Sequence, residues 1–78
     1  MEDVEELCKK LHKEQNSLCY NINKLSDFLY RTQFVKSNNI DSMDMILLDV
    51  QLKAMETYNE CLSARIIHIQ EKILRKGE

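Results

Sequence analysis

Arg65 closes the stretch "QLKAMETYNECLSARI" (Gln51–Ile66), in which apolar residues recur at helical spacing and a guanidinium stands beside the apolar row. Its planar fork donates two parallel hydrogen bonds, a geometry matched to carboxylates and phosphates. Two readings follow. Glu14 falls in nearly the same layer if the chain folds back on itself, so a Glu14–Arg65 ion pair would fix how two helices meet. In the other reading Arg65 faces a cleft between chains and grips a phosphate, with Glu14 holding the fork in place. Tyr58 lies two turns before Arg65 on the same side. Its ring is placed either to stack on a nucleobase or within the apolar row as core, with its hydroxyl at the edge. Lys24 and Arg31 flank the other apolar row and read as a solvated basic stripe.

The remaining reactive residues assemble into nothing. His12 and His68 are single histidines without a second ligand four residues on, and the folded-back register sets His68 near Lys9, a surface setting. Cys8, Cys19 and Cys61 are odd in number and fit no paired metal spacing, so three free thiols are expected. The one glycine, Gly77, is terminal, which leaves no phosphate-cradling loop. No Ser–His–Asp or Cys–His–Asn set is available. The expectation is a protein that is not an enzyme and takes no cofactor or metal.

The elements that position these groups are helical. The 78 residues include no proline and are rich in Leu, Glu, Lys, Met and Gln. One apolar series runs Val4, Leu7, Leu11, Leu18, Ile22, Leu25, Leu29, interrupted only at Glu14; a second runs Leu48, Leu52, Met55, Tyr58, Leu62, Ile66, Ile69, Ile73. Between them "KSNNIDSMD" (Lys36–Asp44) reads as a turn, with Asp41 and Asp44 a weak capping box for the second helix. Helices over about 3–34 and 42–75, joined by a turn over about 36–41, would be roughly 40 and 50 Å long. Acidic residues gather at the start of the first helix, and Lys72, Arg75 and Lys76 at the end of the second, each sign at the dipole end that favours it.

The two series check each other. In an antiparallel hairpin folded near residue 38, Val4 meets Ile73, Leu7 meets Ile69, Leu11 meets Ile66, Leu18 meets Tyr58, Ile22 meets Met55, Leu25 meets Leu52 and Leu29 meets Leu48. Every layer is apolar except one, where Glu14 faces Leu62. Phe28, Phe34, Val35, Ile46, Leu47, Val50, Ile67 and Leu74 remain outside and call for a second hairpin to cover them. A chain this short also builds only a marginal core alone. The fold class expected is therefore all-α: one helical-hairpin domain assembling into a compact homo-oligomer.

Net charge is −2 with 31% charged residues, which argues against DNA or RNA polymers as partners but leaves room for a small anion. The start "MEDVEEL" lacks a signal-peptide pattern and no segment approaches a membrane span, so the setting expected is reducing and cytosolic.

Two segments carry a resemblance. "EQNSLCYNINKLSDFL" (Glu14–Leu29) and "LLDVQLKAMETYNECLSARI" (Leu47–Ile66) resemble, in matching order, the two helices of the phage anti-CBASS sponges, whose helical hairpin is related to that of certain anti-Thoeris sponges. The resemblance covers about half the chain. It implies a non-catalytic helical oligomer, commonly a hexamer, in the host cytoplasm. Such an oligomer sequesters cyclic di- or trinucleotide or related nucleotide immune signals between protomers. The family's dinucleotide lysine falls at Asn21 and its stacking aromatic near Leu7, two departures that remove charge and a π-face from that pocket. The arginine of the second helix matches at Arg65, its small polar companion falls at Asn23, and a basic position matches at Lys24. This second set, which the family links to a separate pocket for trinucleotides or other signals, is the better retained. The rival expectation is a helical interaction module that binds a host or phage protein through its apolar outer face.

Overall fold

A computed structural model describes residues 3–32 and 40–76. They form two antiparallel helices, α1 (Val4–Thr32, 29 residues) and α2 (Ser42–Lys76, 35 residues). Together they make a rod of 60 × 21 × 15 Å. Of the expected turn, residues 36–39 lie outside the described residues, as do positions 33–34 at the expected end of the first helix and the apolar Phe34 and Val35.

Local chemistry sets both helix starts. The Glu6 amide donates to the Asp3 carboxylate at 2.9 Å, satisfying one of the amides that a first turn leaves open. That bond holds the Asp3 carboxyl below its ordinary range. At α2 the cap is reciprocal: the Asp44 amide donates to Asp41 Oδ1 at 2.8 Å and the Asp41 amide to Asp44 Oδ2 at 3.3 Å. The backbone ladder begins from the same residues, with Leu7 N–H donating to the Asp3 carbonyl and Met45 N–H to that of Asp41, both at 3.1 Å. On the surface, Asp27–Arg31 and Asp49–Lys53 pair one turn apart at 3.0 and 3.1 Å, an exposed arrangement that adds little stability.

The core occupies the half of the rod away from the turn. Leu11, Leu62, Ile66 and Ile69 are buried, and Val4, Leu7, Cys8, Leu18 and Ile73 pack against them. Leu29 is buried nearer the turn, where the Thr32 hydroxyl bonds the Leu29 carbonyl at 3.0 Å and touches Met45 Sδ at 3.7 Å.

The middle of the seam departs from the expected register. Glu14 is exposed and does not face Leu62; Gln15 takes the slot and donates to Ser63 Oγ at 2.7 Å. Tyr58 is likewise not core, being 42% exposed, and Asn59 turns inward to accept from the Cys19 thiol at 3.6 Å. Both shifts restore one regularity. Leu11, Gln15, Leu18 and Ile22 on α1, and Met55, Asn59, Leu62 and Ile66 on α2, alternate steps of four and three, the 3.5-residue seam of two paired helices, whereas Glu14 and Tyr58 fall one position off it. Because both seam positions are polar, a count of apolar residues passes over them. The middle of the seam thus carries the cross-helix polar contacts Gln15–Ser63 and Cys19–Asn59, besides Thr32–Met45 nearer the turn.

Phe28, Ile46, Leu47, Val50, Ile67 and Leu74 all stand exposed, as expected for outward apolar residues. Met43 joins them. On α2 the series Met43, Leu47, Val50, Ala54 repeats at steps of four and three, so this helix is apolar on a second side as well as along the seam.

Candidate functional site

The site residues descend from the seam. Gln15 against Ser63 places Glu14 at the level of Leu62 and Ser63. From one turn back on α2, Tyr58 reaches up this flank and its hydroxyl donates to Glu14 Oε1, a link between the two helices. Arg65 stands within about one turn of that level on the same flank. Its charge acts on the Tyr58 phenol, opposing its upward shift. Arg65 is exposed and makes no ion pair or hydrogen bond among the described residues. The expected Glu14–Arg65 pair is therefore corrected: the carboxylate takes its proton donor from tyrosine, and the guanidinium is left facing solvent.

The Tyr58 phenol ionises above its ordinary value of 10.0, first because its hydroxyl bonds a carboxylate and next because burial disfavours the phenolate. A pKa raised by folding stabilises the hairpin below that ordinary value, and the contribution is lost as pH rises through the raised one. An alkaline absorbance titration is accordingly expected to show a late tyrosinate component. Tyr58→Phe should remove it and Glu14→Gln should bring it down. A Tyr58 component whose midpoint Glu14→Gln leaves unchanged would mean that the link is absent in solution.

The remaining candidates are dispersed. Asn21 is exposed and lies seven residues after Glu14, on the flank that carries Tyr58 and Arg65. Asn23 is exposed two residues further, a rotation of roughly 200° that turns it to the other side of α1. Lys24 places its ammonium 5.2 Å from the centroid of the Tyr20 ring, a cation–π contact on α1. Leu7 is half-buried and packs on the core. One chain thus sets Arg65 and Asn21 on one flank, about 12 Å apart along the rod, and keeps Asn23 and Lys24 elsewhere. Arg65, Asn23 and Lys24 share a site only if two or more chains build it. Among the described residues no cavity forms and no cluster of three metal-ligand side chains occurs.

Sequence reasoning missed the Tyr58–Glu14 bond and the Lys24–Tyr20 contact. The second had a signal, since Tyr20 and Lys24 are four apart on one helix. The first had none within either helix, because it depends on the register between them.

These features define an all-α hairpin protein with an exposed edge of tyrosine, carboxylate and guanidinium. The chain belongs to the Sequestin family, whose family model matches residues 5–68, all of α1 but its first residue and α2 up to its last eight. The family name is consistent with a phage sponge-type anti-defence family, the kind that Glu14–Leu29 and Leu47–Ile66 resemble. Comparison with curated proteins and with solved structures gave no match. No helix among the described residues is long and apolar enough to cross a membrane.

Proposed function

We propose that this chain is a phage sponge, acting in the host cytoplasm. It binds a cyclic oligonucleotide or related nucleotide immune signal, without catalysis and without a cofactor, and withholds it from its effector. Membership of the Sequestin family over residues 5–68 carries the reading. The exposed, unpaired Arg65 adds a phosphate anchor, and the cyclic trinucleotide class suits it better than the pocket in which Asn21 and Leu7 replace a cation and an aromatic. Asn23 and Lys24 join Arg65 across a boundary between chains, in a homo-oligomer that we take to be a hexamer. The exposed Phe28, Met43, Ile46, Leu47 and Val50 supply the apolar surface for that assembly. Sequestration needs only affinity and abundance, because a ligand held by excess protein is lost to its receptor by mass action.

The same apolar residues favour a second reading, in which they receive a host or phage protein. Isothermal titration against cyclic di- and trinucleotides and cyclised ADP-ribose products, with native mass spectrometry of the same sample, separates the two. Heat with a cyclic nucleotide and a multimeric mass support the sponge. A monomer at micromolar concentration that gives no heat with any of them rejects it in favour of the protein partner.

A further inference from the structure

The back of α2, opposite the seam, carries a regular series of its own. Steps of four and three select Met43, Leu47 and Val50 in the half near the turn, then Ala54, Thr57, Cys61 and Ala64 in the other half. All of them are exposed. Large side chains thus occupy one half of this face and small ones the other. Thr57 counts among the small ones, since its hydroxyl is already satisfied by donating to the Lys53 carbonyl at 3.0 Å.

A face graded in this way complements itself when turned end for end. In an antiparallel pair of α2 helices, Leu47 of each copy meets Ala64 of the other, Val50 meets Cys61 and Ala54 meets Thr57. Large packs on small towards both ends, and the small central layers let the helices approach closely. A parallel pair would set large on large at one end and hold the small residues apart at the other.

The flanks select the same pairing. It brings Lys53 level with the second copy's Glu60, Asp44 with Arg65 and Ile46 with Ile67, so that charge meets opposite charge and apolar meets apolar. A slip of one heptad in either direction would oppose Lys53 to Lys53 or Glu60 to Glu60. The contact runs from Met43 to His68, roughly 40 Å of helix. It covers the exposed large hydrophobics of α2 except Tyr58, at its rim, and Leu74, beyond its end. Asp44 and Arg65 also meet at the rim, where ion pairs are weak, so the guanidinium can exchange that carboxylate for a phosphate.

We propose that the back of α2 seats a second copy of this chain, antiparallel and in this register, about a twofold axis at the Ala54–Thr57 layers. This pairing rests on the assembly in the sponge reading above and gives it a face and a register; it does not depend on the ligand.

The test uses the full chain without ligand, oxidised mildly with diamide, which takes the two hydrogens as a disulfide forms. Val50→Cys is expected to give a covalent dimer joined from position 50 to Cys61, located by peptide mass mapping, and adding Cys61→Ser should abolish it. Wild type should form no Cys61–Cys61 link, because those thiols stand roughly 16 Å apart along the axis, beyond disulfide reach. Sedimentation equilibrium reads the flanks: Glu60→Lys should weaken dimerisation several-fold by opposing like charges, and adding Lys53→Glu should restore it. Circular dichroism of each variant is the control for folding. A Cys61–Cys61 link in wild type, a multimer that gives no link from position 50 to Cys61, or a charge swap without rescue overturns this pairing and leaves the sponge to assemble through another face. A monomer at micromolar concentration overturns the pairing and the assembly together. Binding of no nucleotide by a chain that crosslinks as expected sinks the sponge and upholds the pairing.

Discussion

Leu62→Ala is expected to remove a large fraction of the hairpin's stability. Leu62 is 0% exposed and sits among Leu11, Ile66 and Ile69, where two helices supply the whole core. Truncating a fully buried leucine costs about 2–5 kcal/mol, the larger part of that range applying where neighbours cannot collapse into the void. Rigid helices on both sides of the seam limit such collapse. A chain of this length has about 4–12 kcal/mol of stability in total, so the loss consumes a large fraction of it. Urea unfolding followed by circular dichroism measures the effect, at fixed protein concentration because assembly would make the midpoint concentration-dependent. Leu74→Ala is the control: its side chain is 73% exposed in the single chain, and truncation should move the hairpin's own midpoint by less than about 0.5 kcal/mol. A midpoint for Leu62→Ala equal to that of the control would show that the seam lies elsewhere.

Arg65→Ala should do the opposite, leaving the fold alone and removing the ligand. The guanidinium is exposed and engages no described partner, so its loss should change stability by no more than about 0.5 kcal/mol. Two charge-assisted bonds to a phosphate are worth about 1.5–3 kcal/mol each, and losing them weakens binding roughly a hundredfold or more. Arg65→Lys keeps the charge and gives up the fork, so an intermediate loss is expected. Calorimetry with the best cyclic nucleotide, beside thermal melts of the same samples, reads both quantities. A variant that binds as wild type does removes Arg65 from the site. A variant that melts several degrees lower restores the register role that the structure gives instead to Gln15–Ser63 and Cys19–Asn59.

Much of the fold was legible before any coordinates. The apolar series from Val4 to Leu29 and from Leu48 to Ile73 identify both helices and their antiparallel pairing, because burial imposes a period that composition records directly. Asp41 and Asp44 marked the start of α2 for a similarly local reason. Legibility failed at Glu14 and Tyr58, each one position from the residue that turns inward. An apolar count cannot recognise Gln15 or Asn59 as seam residues, since what buries them is a partner on the other helix. The candidate site was less legible for the same reason. Arg65 and Asn21 share a flank, but Asn23 points away from both, and no spacing within one helix encodes which flanks a second chain would bring together.

The second apolar side of α2 has an architectural consequence. A helix that is greasy on two sides is suited to a place with neighbours on either hand, whereas on the outer surface of α1 the exposed large hydrophobics are Tyr20, Phe28 and Tyr30. In the assembly we propose, α2 would therefore supply the larger share of the contact, and the polar outward positions of α1 would be where substitutions accumulate with the least effect on it.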